Sequence, residues 1–502
     1  MEQINIVWFT NDLRLDDHAP LYYAAQTGLP VLLLYCFDPQ LLQHPTFGSR
    51  HGWFALHALQ EMQLQLHPFK HIIYTPHIEI RTALELLADH YQIINVFLHK
   101  PQAAMQHVRQ QHYAAQQFCR QKNIQWQAFN HAGLFDEVSG TPDWEAKWKT
   151  DMLQMPYSIH LPDITTLKLP TAISAALYAR AIPKEFKKGE KPFLPDTTLQ
   201  TPGPANAARL LDSFVQNRAS GYRSLRKQAF AAQTASGRLS AHLAFGNISV
   251  RQVYRRIRQA RATSAFPSEL TAFADMLKLR SFCLQQFNLH PNLEYENLNY
   301  VVNGIRIKWN ETQFEKFTEA KTGFPLTDAA VLCLKQTGYL NHRLRALLAS
   351  FVTLHLWLDW RKAAPWFARH MTDFEPGIFY WYMQIISGCT GVFPAWVANP
   401  AREARKIDPN GLFIKQWLPQ FMQVPGALCG NPQAMSALEQ KMYHCEPGKN
   451  YPFMMISPET TGEFAATELQ RIYSKHIAVK ETARLQKLLL PLPARFAGKY
   501  TQ

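Results

Sequence analysis

The sequence predicts a two-part protein: an α/β N-terminal domain over 1–130, a connection over 131–200, and an all-helical C-terminal domain over 201–490. Three observations carry that reading. Residues 1–130 alternate short apolar runs with amphipathic segments. Prolines recur from Pro142 to Pro195, around the charged run EFKKGEKP. Beyond about residue 200, strand-type runs nearly vanish. Strand–helix alternation implies a parallel sheet with helices on its faces, a Rossmann-like arrangement.

In order along the chain, 4–9, 31–37, 71–74 and 93–98 read as strands, and 53–66 and 80–91 as the helices between them. Such sheets bind ligands at the carboxyl ends of their strands. No G-x-G-x-x-G or Walker pattern is present, so the sequence shows no nucleotide there. The proline-rich stretch reads as a long surface connection. After it, 205–219, 250–262, 272–286, 328–337, 343–360 and 366–371 have helical spacing.

Lys plus Arg exceed Asp plus Glu by 52 − 38, a net charge of +14. That favours a polyanionic partner, nucleic acid before membrane, although a merely basic surface remains open. The seven cysteines are scattered with no C-x-x-C, which argues against a disulfide framework, a zinc site or a closely spaced iron–sulfur motif. They fit a reducing, cytoplasmic compartment. The start, MEQINIVWF, lacks a basic segment followed by an apolar one, so no signal peptide is expected. The longest uncharged apolar run, 346–358, is shorter than the ~18 residues that mark a membrane span.

Four constellations carry chemistry. In the first, a strand ends at Phe9, and Asn11, Asp12, Arg14, Asp16 and Asp17 form a polar loop before a helix. In the second, Ser236, Gly237 and Ser240 cluster where a helix should begin. Free backbone N–H groups and hydroxyls there suit a phosphate, and a plain serine N-cap would use the same residues. In the third, the apolar, aromatic stretch 339–391 contains Arg343, Arg345, Asp359, Arg361, Asp373 and Glu375. Charges in apolar surroundings are costly unless paired or ligand-bound, so either a structural ion pair or a cofactor fits. In the fourth, Trp309, Trp360 and Tyr380-Trp381-Tyr382 could pass electrons between indoles or simply pack a core.

These strings resemble the photolyase/cryptochrome family over nearly the whole chain. The opening Trp8-Phe9-Thr10 through His18 is similar to the family's first motif, with Thr10 in place of Arg and Asp17-His18 in place of Asp-Asn. Thr234-Ala-Ser-Gly-Arg-Leu-Ser-Ala-His-Leu243 resembles its FAD pyrophosphate loop, with Ala235 standing for a Gly. Lys321 to Asp328, Thr337 to Arg345, Asp359-Trp360-Arg361 and Ile407 to Pro419 resemble its later strings. The resemblance implies FAD held by Tyr222, Ser236, Gly237, Leu239, Ser240, Arg280, Arg345, Asp373, Glu375 and Phe379. Arg345 would balance negative charge on the flavin with Asp373 holding it, and Glu375 would lie on the ribose side. Trp309, Trp360 and Trp381 lie where the family keeps its electron-transfer chain, and Met383 falls at the flavin-proximal position.

The implied activity is light-driven DNA repair by electron transfer from photoexcited FADH− to a pyrimidine lesion. Arg343 falls at a DNA-facing position and His342 at a lesion contact, where (6-4) photolyases carry a His. The second His of that pair falls on Ala346. A lone His on a helix also serves as an ordinary core or surface residue. The pocket departs from dimer photolyases. Their platform tryptophans fall on Leu279 and Ile385, the thymine-contacting acid on Met276 beside Asp275, and the Asn facing the flavin on Phe379. These losses favour the alternative, a cryptochrome-type blue-light receptor without repair. A light-independent flavin- or nucleic-acid-binding protein is a third reading. The family further implies an antenna chromophore, of folate or deazaflavin type, in the first domain. A monomer acting on single- or double-stranded lesion-containing DNA, without membrane association, completes the expectation.

Overall fold

A computed structural model describes residues 1–188 and 201–491. The chain divides into two compact units. The first comprises Met1–Asn217, Gly237–Glu294 and Thr372–Ile378; the second comprises Arg218–Ser236, Tyr295–Met371 and the chain from Phe379 onward.

The first unit is built on five strands: β1 (Gln3–Phe9), β2 (Val31–Tyr35), β3 (Ile73–Tyr74), β4 (Gln92–His99) and β5 (Gln125–Phe129). Their order is β3-β2-β1-β4-β5, and every pairing is parallel, with Trp8 opposite Leu34 and Val7 opposite Phe97. Parallel sheets are covered on both faces, which is why these strands read as continuous apolar runs. Alternate residues feed two separate cores. Ile4, Ile6, Trp8, Leu32, Leu34, Val96 and Leu98 point to one, and Val7, Phe9, Leu33 and Phe97 to the other. The edge strand β5, absent from the strands expected on pattern, alternates partly buried and exposed residues and has a weaker apolar signal.

The helices predicted at 53–66 and 80–91 are Ser49–Leu66 and Ile80–Ala88. The expected surface connection holds structure of its own, including the helices Thr141–Leu153 and Thr171–Leu177, with Trp144 and Trp148 buried. Its later part, with the whole GEKP run and Pro195, lies outside the described residues. The first unit's longer helices also include Gln106–Gln121, Val250–Arg261 and Pro267–Leu289.

The second unit is helical among the described residues. Pro325–Thr337 matches the predicted 328–337 with an added first turn. The single helix expected over 343–360 is corrected. It runs as His342–Ser350, opens into a π-helical turn at Phe351–His355, and stops. Trp357 then takes a left-handed backbone (φ 54°), and Asp359 caps a new helix, Trp360–His370, by accepting from the Arg361 N–H at 2.9 Å. An Asp ahead of a helical pattern is a start signal, so the break is readable in Asp359-Trp360-Arg361. The helix Pro376–Ile386 then follows.

Candidate functional site

The switch point of the sheet lies between β1 and β4, where a doubly wound fold opens a crevice. Here the chain fills it. Asp12 accepts from the Thr10 N–H at 2.6 Å, from His18 Nε2 at 2.9 Å and from His99 Nδ1 at 2.7 Å. Burial alone would push the Asp12 carboxyl up; the two imidazoles overrule it and hold it well below the usual range. The three side chains have the outline of a metal tripod. The tautomer argues otherwise. His18 Nδ1 accepts from the Leu21 N–H at 3.1 Å, so the ring proton sits on Nε2 and is donated to Asp12. A metal at Nε2 would require that proton to leave. The same loop is bolted to 245–247: Arg14 donates to the Gly246 carbonyl at 3.1 Å and Asn247 to the Leu13 carbonyl at 3.1 Å. A Cβ on Gly246 would meet Asn11 O at 2.4 Å. The opening motif therefore fastens the fold.

Elsewhere in the first unit, Arg280 and Glu375 form a two-pronged ion pair. Arg280 Nε donates to Glu375 Oε2 at 3.0 Å, Nη2 to Oε1, and Nη2 also to the Leu243 carbonyl at 3.3 Å. Burial raises the Glu375 carboxyl, with Arg280 pulling it back. Arg280 Nη1 is buried with no partner. A buried guanidinium N–H is costly to leave unpaired, and its position beside a carboxylate fits an acceptor of an FAD group. Gly237 is equally specific: a Cβ there would lie 2.6 Å from the Phe273 ring. Leu239 is buried, Ser240 opens the short helix Ser240–Ala244, and Asp373 is buried.

In the second unit, Tyr222 is buried with the Arg226 guanidinium 5.2 Å from its ring centroid, and Arg226 Nε has no partner. The Ser236 hydroxyl donates to the Ala232 carbonyl at 2.7 Å and lies 3.1 Å from the Tyr339 hydroxyl. Arg345 Nε donates to the Leu340 carbonyl at 2.8 Å, which fixes the guanidinium near the Tyr339 ring. His342 stands at the first turn of its helix, with its ring edge-on to Tyr382 at 4.7 Å. Its pKa is pushed down to about 4, by desolvation first and then by Arg345, Arg226 and Arg343. The side chain is exposed, so solvent weakens both the desolvation and the push of the three cations. Arg343 is clamped: it donates to Glu403 Oε2 at 2.9 and 2.7 Å and lies 4.2 Å from the Trp396 ring centroid.

Of the three candidate electron-transfer tryptophans, Trp360 is buried and donates to Asn297 Oδ1 at 2.8 Å. Trp309 is half-buried and donates to Glu311 Oε2 at 2.6 Å. Trp381 is buried against Phe393, 6.1 Å between ring centroids. Phe379 is half-buried beside Tyr380 and Phe367. Leu279 and Ile385 are both buried. The sequence does not single out Arg226 or the ion-pair partnership of Arg280 with Glu375. The latter spans 95 positions and has no local signature.

Comparison with known proteins agrees with this layout. A family model described as "FAD binding domain of DNA photolyase" matches residues 273–471, and one described as "DNA photolyase" matches 5–143. A Vibrio cholerae deoxyribodipyrimidine photo-lyase is 26% identical over 460 residues, covering 88% of this chain and 95% of the relative. Cryptochrome-2 of Arabidopsis thaliana is 26% identical, covering 95% and 81%. A class III photolyase structure from Agrobacterium tumefaciens superposes with a TM-score of 0.81 at 22% identity, covering 95% of this chain and 98% of that one. The chain belongs to the photolyase/cryptochrome family of flavoproteins. Its cofactor is FAD, and the buried spare N–H of Arg280 is consistent with a bound group. No helix among the described residues is long and apolar enough to cross a membrane.

Proposed function

We propose that this protein is a light-driven DNA-repair flavoprotein of photolyase type. The observation that carries the reading is the net charge of +14 on a chain with a photolyase FAD-binding domain. A receptor that touches no polyanion has no use for that excess, whereas a duplex backbone rewards each phosphate contact. Bound, reduced and excited by light, FAD supplies one electron to a pyrimidine lesion, which splits and returns it.

The chain's own residues bind, orient and shield. Tyr222, Ser236, Gly237, Leu239, Ser240, Arg280, Arg345, Asp373, Glu375 and Phe379 form the cofactor-holding set in this proposal. Arg280 offers its free N–H, with Glu375 fixing the plane of the guanidinium. The Leu340 carbonyl orients Arg345. A neutral His342 at pH 7 presents an N–H to the lesion rather than a full charge, and Arg343 meets a phosphate. Trp309, Trp360 and Trp381 are proposed to serve photoreduction. An antenna pigment of folate or deazaflavin type belongs to the first domain in the same proposal, as do monomeric action in the cytoplasm and binding of single- or double-stranded DNA. The alternative, a cryptochrome-type receptor, is favoured by the apolar, buried Leu279 and Ile385 at platform positions, since a flipped base needs stacking surfaces.

The test is illumination of the photoreduced protein with short DNA carrying a cyclobutane dimer or a (6-4) product. Repair of either only in light supports the proposal and names the lesion. Photoreduction without repair in single or double strands transfers the protein to the receptor reading.

A further inference from the structure

A continuous line of rings runs through the second unit from its surface to its interior. Trp309 lies 4.8 Å from Phe314, and Phe314 lies 6.5 Å from Trp366, between centroids. Trp366 touches Phe367 at 5.1 Å; Phe367 meets Phe379 at 6.4 Å and Phe379 meets Tyr380 at 5.2 Å. Tyr380 then stands edge-on to the buried Trp360 at 5.9 Å. Trp381 packs on Phe393, off this line.

The two ends differ in what accepts the indole proton. Trp360 donates to the amide oxygen of Asn297, which cannot take a proton at neutral pH. Trp309 donates to the carboxylate of Glu311, which can. One-electron oxidation turns the scarcely acidic indole N–H into an acid of about carboxylic strength. A positive vacancy on Trp360 therefore keeps its proton and stays mobile, and one on Trp309 is trapped by proton loss.

We propose that Trp366 relays electrons between Trp309 and Trp360, and that Glu311 is the proton acceptor that traps the vacancy at Trp309. The proposal rests on the flavin reading for its oxidant. Photoexcited oxidised FAD takes one electron from Trp360. Trp366 refills Trp360, and Trp309 refills Trp366. The indole proton of Trp309 passes to Glu311. An external thiol then returns one hydrogen atom to Trp309, Glu311 releases its proton to water, and two thiyl radicals from successive cycles couple to a disulfide. The phenylalanines, far harder to oxidise, serve only as tunnelling medium.

Flash spectroscopy of the FAD-loaded full chain, with rapid-freeze electron paramagnetic resonance, tests this. Wild type should show a deprotonated indole radical assigned to Trp309. Trp366→Phe should lose that signal while FAD content and circular dichroism stay as in wild type. Glu311→Gln should form a protonated radical that returns to the ground state faster. An unchanged Trp309 radical in Trp366→Phe overturns the relay, and unchanged deprotonation in Glu311→Gln overturns the acceptor. A flash-quenched ruthenium polypyridyl oxidant, used without flavin, separates the two levels. In Glu311→Gln, where proton loss no longer traps the vacancy, it should oxidise Trp309 and spread the vacancy to Trp360, and leave it confined to Trp309 when Trp366→Phe is added. Spreading with ruthenium but no radical with FAD sinks the flavin reading and leaves the relay standing. Equal spreading in both proteins sinks the relay.

Discussion

Two charges set into apolar stretches of this molecule look alike in the sequence and differ in the structure. Asp328, in the second unit, is fully buried and takes the Thr322 N–H at 2.9 Å, the Thr322 hydroxyl at 2.7 Å, the Gly323 N–H at 3.3 Å and the Tyr451 hydroxyl at 2.5 Å. Both its oxygens are used by the chain. Arg280, in the first unit, is paired just as firmly with Glu375, but one N–H is left over. A fully satisfied buried charge is complete within the fold. A buried donor without a partner leaves room for a ligand. Asp328 lies in a string that resembles photolyases and Arg280 at a position the resemblance assigns to FAD, and in the structure it is the leftover donor that separates fastening from binding.

The largest effect should come from breaking the satisfied site. Asp328→Ala strands four donors at once, each costing about 1–3 kcal/mol when buried and unpaired. We expect a stability loss on the order of 4 kcal/mol, read as a urea midpoint shift. FAD affinity in the remaining folded fraction should not change. Weaker FAD binding at full stability would contradict the assignment of Asp328 to the fold.

Arg280→Ala should do the reverse. Hydrogen bonds to charged groups contribute about 1.5–3 kcal/mol, so FAD retention should fall roughly ten- to a hundredfold. Because that substitution also strands Glu375, Arg280→Leu with Glu375→Leu is the cleaner variant. Replacing a buried pair by apolar residues is often neutral for stability. Equilibrium dialysis with FAD and thermal unfolding of the flavin-free protein should therefore diverge: affinity lost, stability kept. Loss of both would place Arg280 beside Asp328 as a fastening.

Acidity gives a third contrast. Burial pushes the Asp328 carboxyl up to about 6, with its hydrogen bonds pulling it back. A folded-state pKa above the unfolded value means the folded chain holds the proton more tightly. Its contribution is fully present below the unfolded pKa and is lost as pH rises toward and through about 6. Histidines such as His131, pushed down to about 4 mainly by burial, act in the opposite sense: what they contribute above pH 6.5 is lost on acidification. The difference between wild type and Asp328→Asn, in urea midpoints from pH 4 to 7, isolates the carboxyl. Converted to free energy, that difference should fall by up to about 1.4 kcal/mol per pH unit within the window and flatten outside it. A flat difference throughout would place the Asp328 pKa near its ordinary value.

Much of this architecture is legible in the amino-acid sequence. Continuous apolar runs at β1, β2 and β4 announce a sheet buried on both faces, because each face has its own core. The half-exposed β5 escapes, since Gln125-Trp-Gln-Ala-Phe129 buries too little to form a run. Periodicity carries one helix through 356–359, where a left-handed Trp357 and the Asp359 cap end it. At the candidate site, residue types are readable and partnerships are not. Arg280 finds Glu375 across 95 positions, and Trp309 finds Trp366 through Phe314, because tertiary packing rather than spacing brings them together.

Arg343 tests how far the contrast extends to the surface, and its effect should be the smallest. It is 38% exposed and already shares Glu403 with Lys406. A phosphate arriving there must compete with that carboxylate, so most of its Coulombic attraction is offset by weakening of the Glu403 ion pair. Arg343→Ala should weaken DNA binding almost uniformly across sequences and lower the slope of log affinity against log salt by about 1. Glu403→Gln should strengthen binding, because it frees the guanidinium without removing it. Titration of a fluorescent oligonucleotide at several salt concentrations reads both. If Glu403→Gln weakens binding instead, the clamp positions Arg343 for the phosphate rather than competing for it, and Arg343 joins Arg280 as a charge held ready by its partner.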